Sequence, residues 1–257
     1  MPQELNSQFM NNEVARKEAF YPVWDFKLNH VFADVAKYYD RANVIASLGM
    51  LNWWLRKFIA TIDVRPGDKV LDVCAGTNVM GIALMKKQPR IMVQAIDRSP
   101  HMQQVGAERA ARRGFVIQSD IGDVHELPYP DDHFDIVTLQ YASRHLGIAQ
   151  VASEIKRVLK PGGAFYHCDM LRPSHPWIER QYYRFLRFTL DFTSWLFGSK
   201  EDALSCRQYF IESLEMFYSA EELADLLEEV GFTDVTYTKF FGGMVAFHKS
   251  VRPLGDV

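Results

Sequence analysis

Three aspartates stand where short apolar runs give way to turns: Asp72, Asp97 and Asp123. The first run, Val70 to Val73, leads through Cys74-Ala75-Gly76-Thr77-Asn78 into apolar residues at helical spacing, Met80, Ile82, Ala83, Leu84 and Met85. That pattern is strand, tight turn, helix. Small residues in such a turn let the backbone approach a ligand closely, and the helix start offers unpaired N–H groups. A phosphate-binding loop would want G-x-G-x-x-G, and only Gly76 falls at such a position. Asp72, read here as part of the turn, would repel a pyrophosphate and suits a cationic or hydroxyl-bearing ligand. Asp97 can accept from both hydroxyls of a ribose. Asp123 can accept from an adenine amine, with Val124 against the ring. Taken singly, Asp72 reads equally well as a turn residue and Asp97 as a helix cap before Ser99-Pro100. Their recurrence at successive strand ends argues for a shared pocket. Gln140 and Tyr141 close a further run, and Arg144-His145 follow within a few residues.

The elements that must position these groups come at regular spacing. Strands are expected over 70–73, 91–96, 115–121, 134–140 and 164–170, each followed by helical pattern, which predicts a mostly parallel α/β sheet. A helix over 149–159 is expected to close at Lys160-Pro161-Gly162-Gly163, and a last helix runs over 220–230. Residues 235–241 and 244–248 read as a final antiparallel hairpin around Gly242-Gly243. Residues 1–20 are polar and read as a loose arm. Helical pattern follows at Val31, Phe32, Val35, Ala36 and Tyr39, and again over 48–62. Residues 174–218 interrupt the alternation with an aromatic-rich helical insertion. The expected organisation is a single domain over 1–257, with 1–62 as N-terminal arm and lid helices and 174–218 as the insertion.

The chain has 257 residues, 48% of them hydrophobic, which is enough for one large α/β domain. A net charge of −3 argues against a nucleic-acid binder. Cys74, Cys168 and Cys206 form no CxxC pair, and reduced thiols in the cytoplasm are the simplest reading. The first twelve residues lack an apolar signal core. No apolar run approaches the ~20 residues of a spanning helix, so the expected location is cytoplasmic, with peripheral contact at the inner face of a membrane. The oligomeric state is not readable.

Carboxylates at three strand ends are similar to the pocket of a class I S-adenosylmethionine (SAM)-dependent methyltransferase, a Rossmann-like fold with helices on both faces of the sheet. Longer segments carry the likeness further. Val31-Phe32-x-x-Val35-Ala36-x-x-Tyr39-Asp40-x-x-Asn43-x-x-x-Ser47-x-Gly49-x-x-x-x-Trp54 resembles the N-terminal signature of the ubiquinone/menaquinone C-methyltransferase family. So do Ala75-Gly76-Thr77, Leu127-Pro128-Tyr129-Pro130-Asp131, Arg157 to Gly163, and the tail Gly243-Met244-Val245-Ala246-Phe247-His248. The resemblance covers roughly residues 31–250. The chain departs from the family at Asn78, where a loop glycine is usual, at Leu51, where histidine is frequent, and at Arg144-His145, where Arg-Asn is usual. Asn tolerates positive φ better than most residues.

The resemblance implies SAM as cofactor, held by Asp72, Ala75, Gly76, Thr77, Asn78, Asp97, Arg98, Met102, Asp123, Val124 and Gln140. It implies a small aromatic or quinol substrate, methylated on a ring carbon of a prenylated quinol. Such a reaction needs a hydroxyl proton removed and the resulting charge steadied. Tyr141, Arg144 and His145 lie where that would happen, with His145 as proton acceptor and Arg144 beside the phenolate. Asp169, at the end of the fifth strand, is a further polar candidate, and Tyr39 with Asp40 could cover the site. Other readings are methylation at oxygen or nitrogen of another aromatic molecule, a SAM-binding protein with lost catalysis, and an NAD-dependent oxidoreductase, which the missing glycines count against. No metal site is expected, since His125, His133 and His167 share no ligand spacing. In the insertion, Tyr182, Phe185, Thr189, Phe192 and Leu196 recur at helical spacing, with Trp177, Phe188 and Trp195 adding bulk. Arg180, Arg184 and Arg187 take another face. This reads either as a helix packed on the sheet or as an apolar cover for a polyprenyl tail with arginines toward anionic lipid.

Overall fold

Alternating apolar residues build both faces of the sheet. The computed structural model describes residues 6–23, 44, 47, 49–197 and 201–255. Among them β1 (Lys69–Val73), β2 (Met92–Asp97), β3 (Gln118–Ile121), β4 (Phe134–Gln140), β5 (Leu159–Met170), β6 (Thr233–Phe240) and β7 (Val245–Val251) form one sheet in the order β3-β2-β1-β4-β5-β7-β6. The first five strands pair in parallel, while β7 runs antiparallel to both β5 and β6. This is the mostly parallel sheet with an antiparallel C-terminal hairpin that the pattern predicts.

Helices cover the two faces. Leu71, Val73, Val137, Leu139 and Phe165 point to one face, buried under α5 (Ile148–Val158) and α8 (Ala220–Glu229). Val70, Ile136, Tyr166 and Phe247 point to the other, under α2 (Met50–Thr61) and α3 (Val79–Lys87). A parallel sheet buried on both sides needs this continuous apolar run. Ser219 starts α8 with a capping box: its hydroxyl accepts from Glu222 N–H, and Glu222 Oε2 accepts from Ser219 N–H. Two further helices, α6 (Pro176–Phe197) and α7 (Glu201–Glu215), pack through Tyr182, Tyr183, Leu186, Ile211 and Leu214. Among the described residues the remaining pair is α1 (Ser7–Pro22) and α4 (Pro100–Ala111).

Several expectations need correction. The described part of the expected loose arm is not loose: from Ser7 it forms α1, capped by the Asn6 side chain, which accepts from Gln8 N–H at 3.1 Å. Phe9, Phe20 and Arg16 are its buried residues. A buried arginine contributes nothing to apolar periodicity, so the helix reads as polar. Asp72 is not in the turn but inside β1, pairing in register with Ala95 and Thr138. The third strand starts at Gln118, because Phe115 and Ile117 are spent packing on the core beneath it. No helix follows β3. Arg157 of α5 holds that connection instead, donating to the carbonyls of Leu127 and Tyr129 at 2.9 and 2.8 Å.

Lys160-Pro161-Gly162-Gly163 does not end the pairing either. It bulges within β5, between Phe134↔Leu159 and Ile136↔Ala164. Gly162 takes φ +77°, and a Cβ on Gly163 would lie 2.8 Å from the Lys160 carbonyl oxygen. The helical pattern at 31–39, the Tyr39-Asp40 cover and the side chains of Phe192, Trp195, Leu196 and Cys206 lie outside the described residues.

Candidate functional site

The chain leaves β1 toward β2 on one side and later enters β4 on the other, so a crevice opens at the carboxyl ends of β1 and β4. Asp72 lies at this seam, 2% exposed. Its Oδ1 accepts from the Thr138 hydroxyl at 2.8 Å, and its Oδ2 is buried without a partner. Burial pushes the carboxyl up to about 7, against the pull of the Thr138 hydroxyl and of the Gly81 backbone N–H at the start of the next helix. An orphaned buried carboxylate oxygen at a ligand crevice is a waiting acceptor.

The loop after β1 is shaped by left-handed backbone at Cys74, Gly76 and Asn78, with φ of 54°, 52° and 56°. Asp97, the last residue of β2, fastens it. Its Oδ2 accepts from Gly76 N–H and its Oδ1 from Ser99 N–H, both at 2.8 Å. Burial raises the Asp97 carboxyl despite these two donors. Each oxygen keeps a second lone pair for a ligand hydroxyl. Ala75 donates its N–H to Ile96 O at 3.1 Å, and Thr77 Oγ1 accepts from Arg109 at 2.9 Å. Met102 is buried at the start of α4, its Cε 3.6 Å from where a Gly76 Cβ would stand.

Asn78, in the place of the usual loop glycine, is fully buried at the start of α3. Space for it comes from Gly106 on α4, where a Cβ would meet the Asn78 side chain and the Thr77 carbonyl carbon at under 3.0 Å. Gln103 also belongs here. Its Nε2 donates to Gly76 O at 2.9 Å, and its Oε1 is buried without a partner. Sequence reading passes over Thr138, Gln103 and Gly106. The helical spacing of Met102, Gln103 and Gly106 behind the Ser99 cap is the only trace they leave.

Asp123 lies two residues past β3 and is half-exposed. Burial works to raise its carboxyl, but the backbone and ring N–H groups of His125 hold it below the usual range. His125 Nε2 accepts from Gly147 N–H at 3.0 Å, so its proton is on Nδ1, facing Asp123 Oδ1 at 2.6 Å. His125 is thus neither a ligand nor solvated: it ties Asp123 to the start of α5. Val124 is buried in the core under α5, and Arg98 lies close enough to act on both Asp97 and Asp123.

Gln140 ends β4 opposite Cys168, and Tyr141 turns out of the sheet at φ 54°, its buried hydroxyl beside the Cys168 thiol. A short 3-10 turn follows, Ser143–His145. Arg144 Nη1 donates to the fully buried Asp169 Oδ1 at 3.2 Å, and its guanidinium lies 4.7 Å over the Phe210 ring. His145 stacks on Tyr209 at 5.4 Å, its Nδ1 against the Tyr209 hydroxyl. Burial, followed by the charges of Arg144 and Arg16, pushes the imidazole well below its usual value and keeps it neutral.

Behind this turn runs a buried chain of contacts. Ser143 Oγ lies 2.5 Å from Asp169 Oδ2 and 3.0 Å from His167 Nε2, His167 Nδ1 lies 3.3 Å from His248 Nδ1, and His248 Nε2 donates to Ala220 O at 2.9 Å. Four links need four protons. One serine and two neutral imidazoles supply three, so the chain is complete only with one more proton. Burial raises the Asp169 carboxyl against the pull of Arg144, of the Ser143 hydroxyl and of the Ser143 and Met170 N–H groups, and it holds both histidines down at about 3, so neither imidazole supplies that proton.

In α6, Tyr182, Tyr183 and Leu186 face inward, and the expected apolar stripe through Phe185 is displaced. Phe185, Trp177 and Phe188 are 54%, 65% and 69% exposed, on the outer side with Arg180, Arg184 and Arg187. Among the described residues no group of His, Cys, Asp or Glu could hold a metal ion.

Comparison with known proteins agrees with this geometry. The sequence pattern of the ubiE/COQ5 methyltransferase family matches residues 22–252. Demethylmenaquinone methyltransferases of Staphylococcus aureus, strains JH9 and Newman among them, are 35% identical over 224 residues, covering 86% of this chain and 91% of theirs. A SAM-dependent methyltransferase from Aquifex aeolicus shares the fold at TM-score 0.56 and 18% identity, over 77% of this chain and 89% of that one. Phosphoethanolamine N-methyltransferase 2 from Haemonchus contortus, in complex with SAM, does so at TM-score 0.58 and 16% identity, over 80% and 53%.

The Asp72 carboxyl makes a pH prediction. Its folded value of about 7 lies above the ordinary 3.8, so between the two the folded state holds the extra proton. Stability is lost as pH rises through that window, by roughly 4 kcal/mol at most, and levels off above it. His167 and His248, depressed in the fold, act in the opposite sense below about 6.5. Subtracting the urea stability of Asp72→Asn from that of wild type at pH 5, 6, 7 and 8 cancels them. The difference should fall steadily toward pH 7; parallel curves would refute the buried acid.

Proposed function

The chain belongs to the ubiE/COQ5 methyltransferase family, and from that membership we propose that it moves the methyl group of SAM to a ring carbon of a prenylated quinol, of the demethylmenaquinol or ubiquinol-precursor kind. It is a SAM-dependent methyltransferase of quinone biosynthesis. The observation that carries the finer reading is the separation of two sets of polar groups along one crevice. Asp72, Asp97 and Asp123 suit a cofactor with a cationic end and free hydroxyls. Arg144, His145 and Tyr141 stand beyond Gln140, on the acceptor's side.

Asp97 is placed to take the ribose hydroxyls on its remaining lone pairs while it holds Gly76. Asp72, with one oxygen free, faces the amino-acid end of the cofactor from the seam. Ala75, Gly76, Thr77 and Asn78 shape the loop, Arg98 and Met102 border it, and Asp123 with Val124 closes the adenine end. When bound, SAM supplies an electrophilic methyl group on a sulfonium. The protein's task is to align the acceptor carbon and manage one hydroxyl proton. His145, held against Tyr209 with its proton affinity lowered by burial, takes that proton in passing or hands it on through water. Arg144 steadies the oxygen left behind. Asp169 and the Phe210 ring fix the direction of the guanidinium. The fully buried Asp169 acts through Arg144 and Ser143 and does not meet the substrate itself.

The outer side of α6 fits contact with the membrane that holds such a substrate. No helix of the described residues is long and apolar enough to cross a membrane. Trp177, Phe185 and Phe188 beside three arginines make an exposed amphipathic face suited to an anionic interface on the cytoplasmic side.

Incubation with SAM and a reduced demethylmenaquinone should add one methyl to a ring carbon, read by mass and by carbon NMR. A product methylated on oxygen, or none at all, would overturn the reading. Asp97→Ala should weaken SAM binding by roughly 1.5–3 kcal/mol in calorimetry; unchanged affinity in a folded variant removes Asp97 from the pocket. His145→Ala should lower turnover by about 10²–10⁴-fold with SAM affinity kept, and raising pH should partly restore it. Arg144→Ala would strand Asp169, so Arg144→Lys is the better probe. It should lose turnover without recovery at high pH. Near-normal turnover in both variants would move the chemistry to Tyr141. Vesicles of anionic lipid should float the protein in a salt-dependent way, and Arg180→Ala with Arg184→Ala should weaken that by about 1 kcal/mol each. Binding that ignores lipid charge would rule out the α6 face.

A further inference from the structure

The helix α1 reaches the turn bearing Arg144 and His145 by two routes. The first is ionic. Arg16 is fully buried, and its Nη2 donates to Arg144 O at 3.2 Å and to Leu146 O at 3.0 Å, the carbonyls on either side of His145. Its Nη1 donates to Glu13 Oε1 at 2.5 Å, and its guanidinium lies 4.7 Å over the Phe217 ring. Glu13 has further partners. The Tyr218 hydroxyl donates to Oε1 at 3.0 Å, and Ala149 N–H donates to Oε2 at 3.3 Å. Ala149 lies in the first turn of α5, whose cap residue, Gly147, has no side chain to serve the exposed N–H groups. Glu13 therefore caps α5 from another helix. The second route is aromatic. Phe20 meets Tyr209 edge-on at 5.5 Å, and Tyr209 stacks on His145.

A buried ion pair is a poor device for stability, because desolvation cancels much of its attraction. Its strength is direction: a planar guanidinium fixes several acceptors at set angles. The segment it holds has little regular structure of its own. Tyr141 is in left-handed backbone, Ser143–His145 is a single 3-10 turn, and Leu146 is extended. Its internal bonds are His145 N–H to Ala142 O and Leu146 N–H to Ser143 O. The carbonyls of Arg144 and Leu146 are taken by Arg16.

We propose that Glu13 and Arg16 are positioning residues for methyl transfer: they hold the 141–147 turn in the form that presents Arg144 and His145 to the acceptor, so that α1 is part of the acceptor side of the site. This rests on the assignment of Arg144 and His145 above. Displacement of reacting groups by about 1 Å can cost roughly 10²-fold in rate.

The test uses the full chain carrying Arg16→Ala, with demethylmenaquinol turnover, SAM calorimetry and hydrogen–deuterium exchange of the 142–149 segment measured together. The expected result is a fall in kcat of roughly 10²-fold, SAM affinity within twofold of wild type, faster exchange confined to 142–149, and partial recovery of kcat with millimolar guanidinium. Should Arg16→Ala fail to fold, Glu13→Gln and Phe20→Leu each release one anchor and should show the same pattern at smaller amplitude. Normal kcat in Arg16→Ala, alongside Arg144→Lys and His145→Ala that have lost theirs, overturns the positioning role alone. Exchange at 142–149 that stays at the wild-type rate also overturns it. Normal turnover in Arg144→Lys and His145→Ala overturns the site assignment, and this proposal with it.

Discussion

A carboxylate in the middle of a parallel sheet is costly to bury, and Asp72 is buried at the seam where the sheet's order reverses. One oxygen is satisfied across the seam by Thr138 of β4, and the other is left without a partner. The loops at the neighbouring strand ends are arranged around that group. Asp97, one strand away, holds the loop through Gly76 and the next helix through Ser99. Gly106 lets α4 close against the loop, so that Asn78 can stand where a glycine is usual. The carboxylates are thus fixed by the backbone before any ligand arrives, which is the arrangement that lets polar groups act without reorganising.

The turn bearing Arg144 and His145 depends on a different feature, the two-residue alternation of the strands. On β5 it sends His167 and Asp169 to the same face, and on β7 it sends His248 there too. Ser143, arriving just beyond β4, meets this column and links it to Arg144 through Asp169. A polar network of this depth is favourable only when each member is satisfied. The orientation of Arg144 is therefore set from within the fold, behind the turn. The turn itself is irregular backbone, held from behind by the Asp169 carboxylate and from outside by α1.

Much of the fold is readable in the chain. Five parallel strands, their helices and the closing hairpin follow from apolar runs and their punctuation, because both faces of the sheet must be dry and each strand must be spelled in apolar residues. Strand ends are readable for the same reason, and with them the positions of Asp97, Asp123 and Gln140, whereas Asp72, which reads as part of the turn, lies inside β1. The N-terminal helix is not readable. Its decisive residue is a buried arginine, and periodicity scores an arginine as surface. The bulge in β5 is hidden too, since Lys-Pro-Gly-Gly looks like an end and only the register against β4 and the tail after β7 shows it to be an interruption.

What the sequence determines by itself is local: which segments are apolar, where they stop, and which carboxylates stand at the stops. That suffices for the class of fold and for the sign of the charge a ligand meets. What only the tertiary structure decides is partnership across distance. Arg16 finds the carbonyls of Arg144 and Leu146 some 130 positions away along the chain, and Asp169 finds Ser143 and Arg144. Asn78 finds the gap left by Gly106. These contacts arise from packing whole elements together, and no short window of residues contains both members of any of them. A single side chain's role, whether paired, capping, orphaned or protonated, depends on the neighbour that folding delivers.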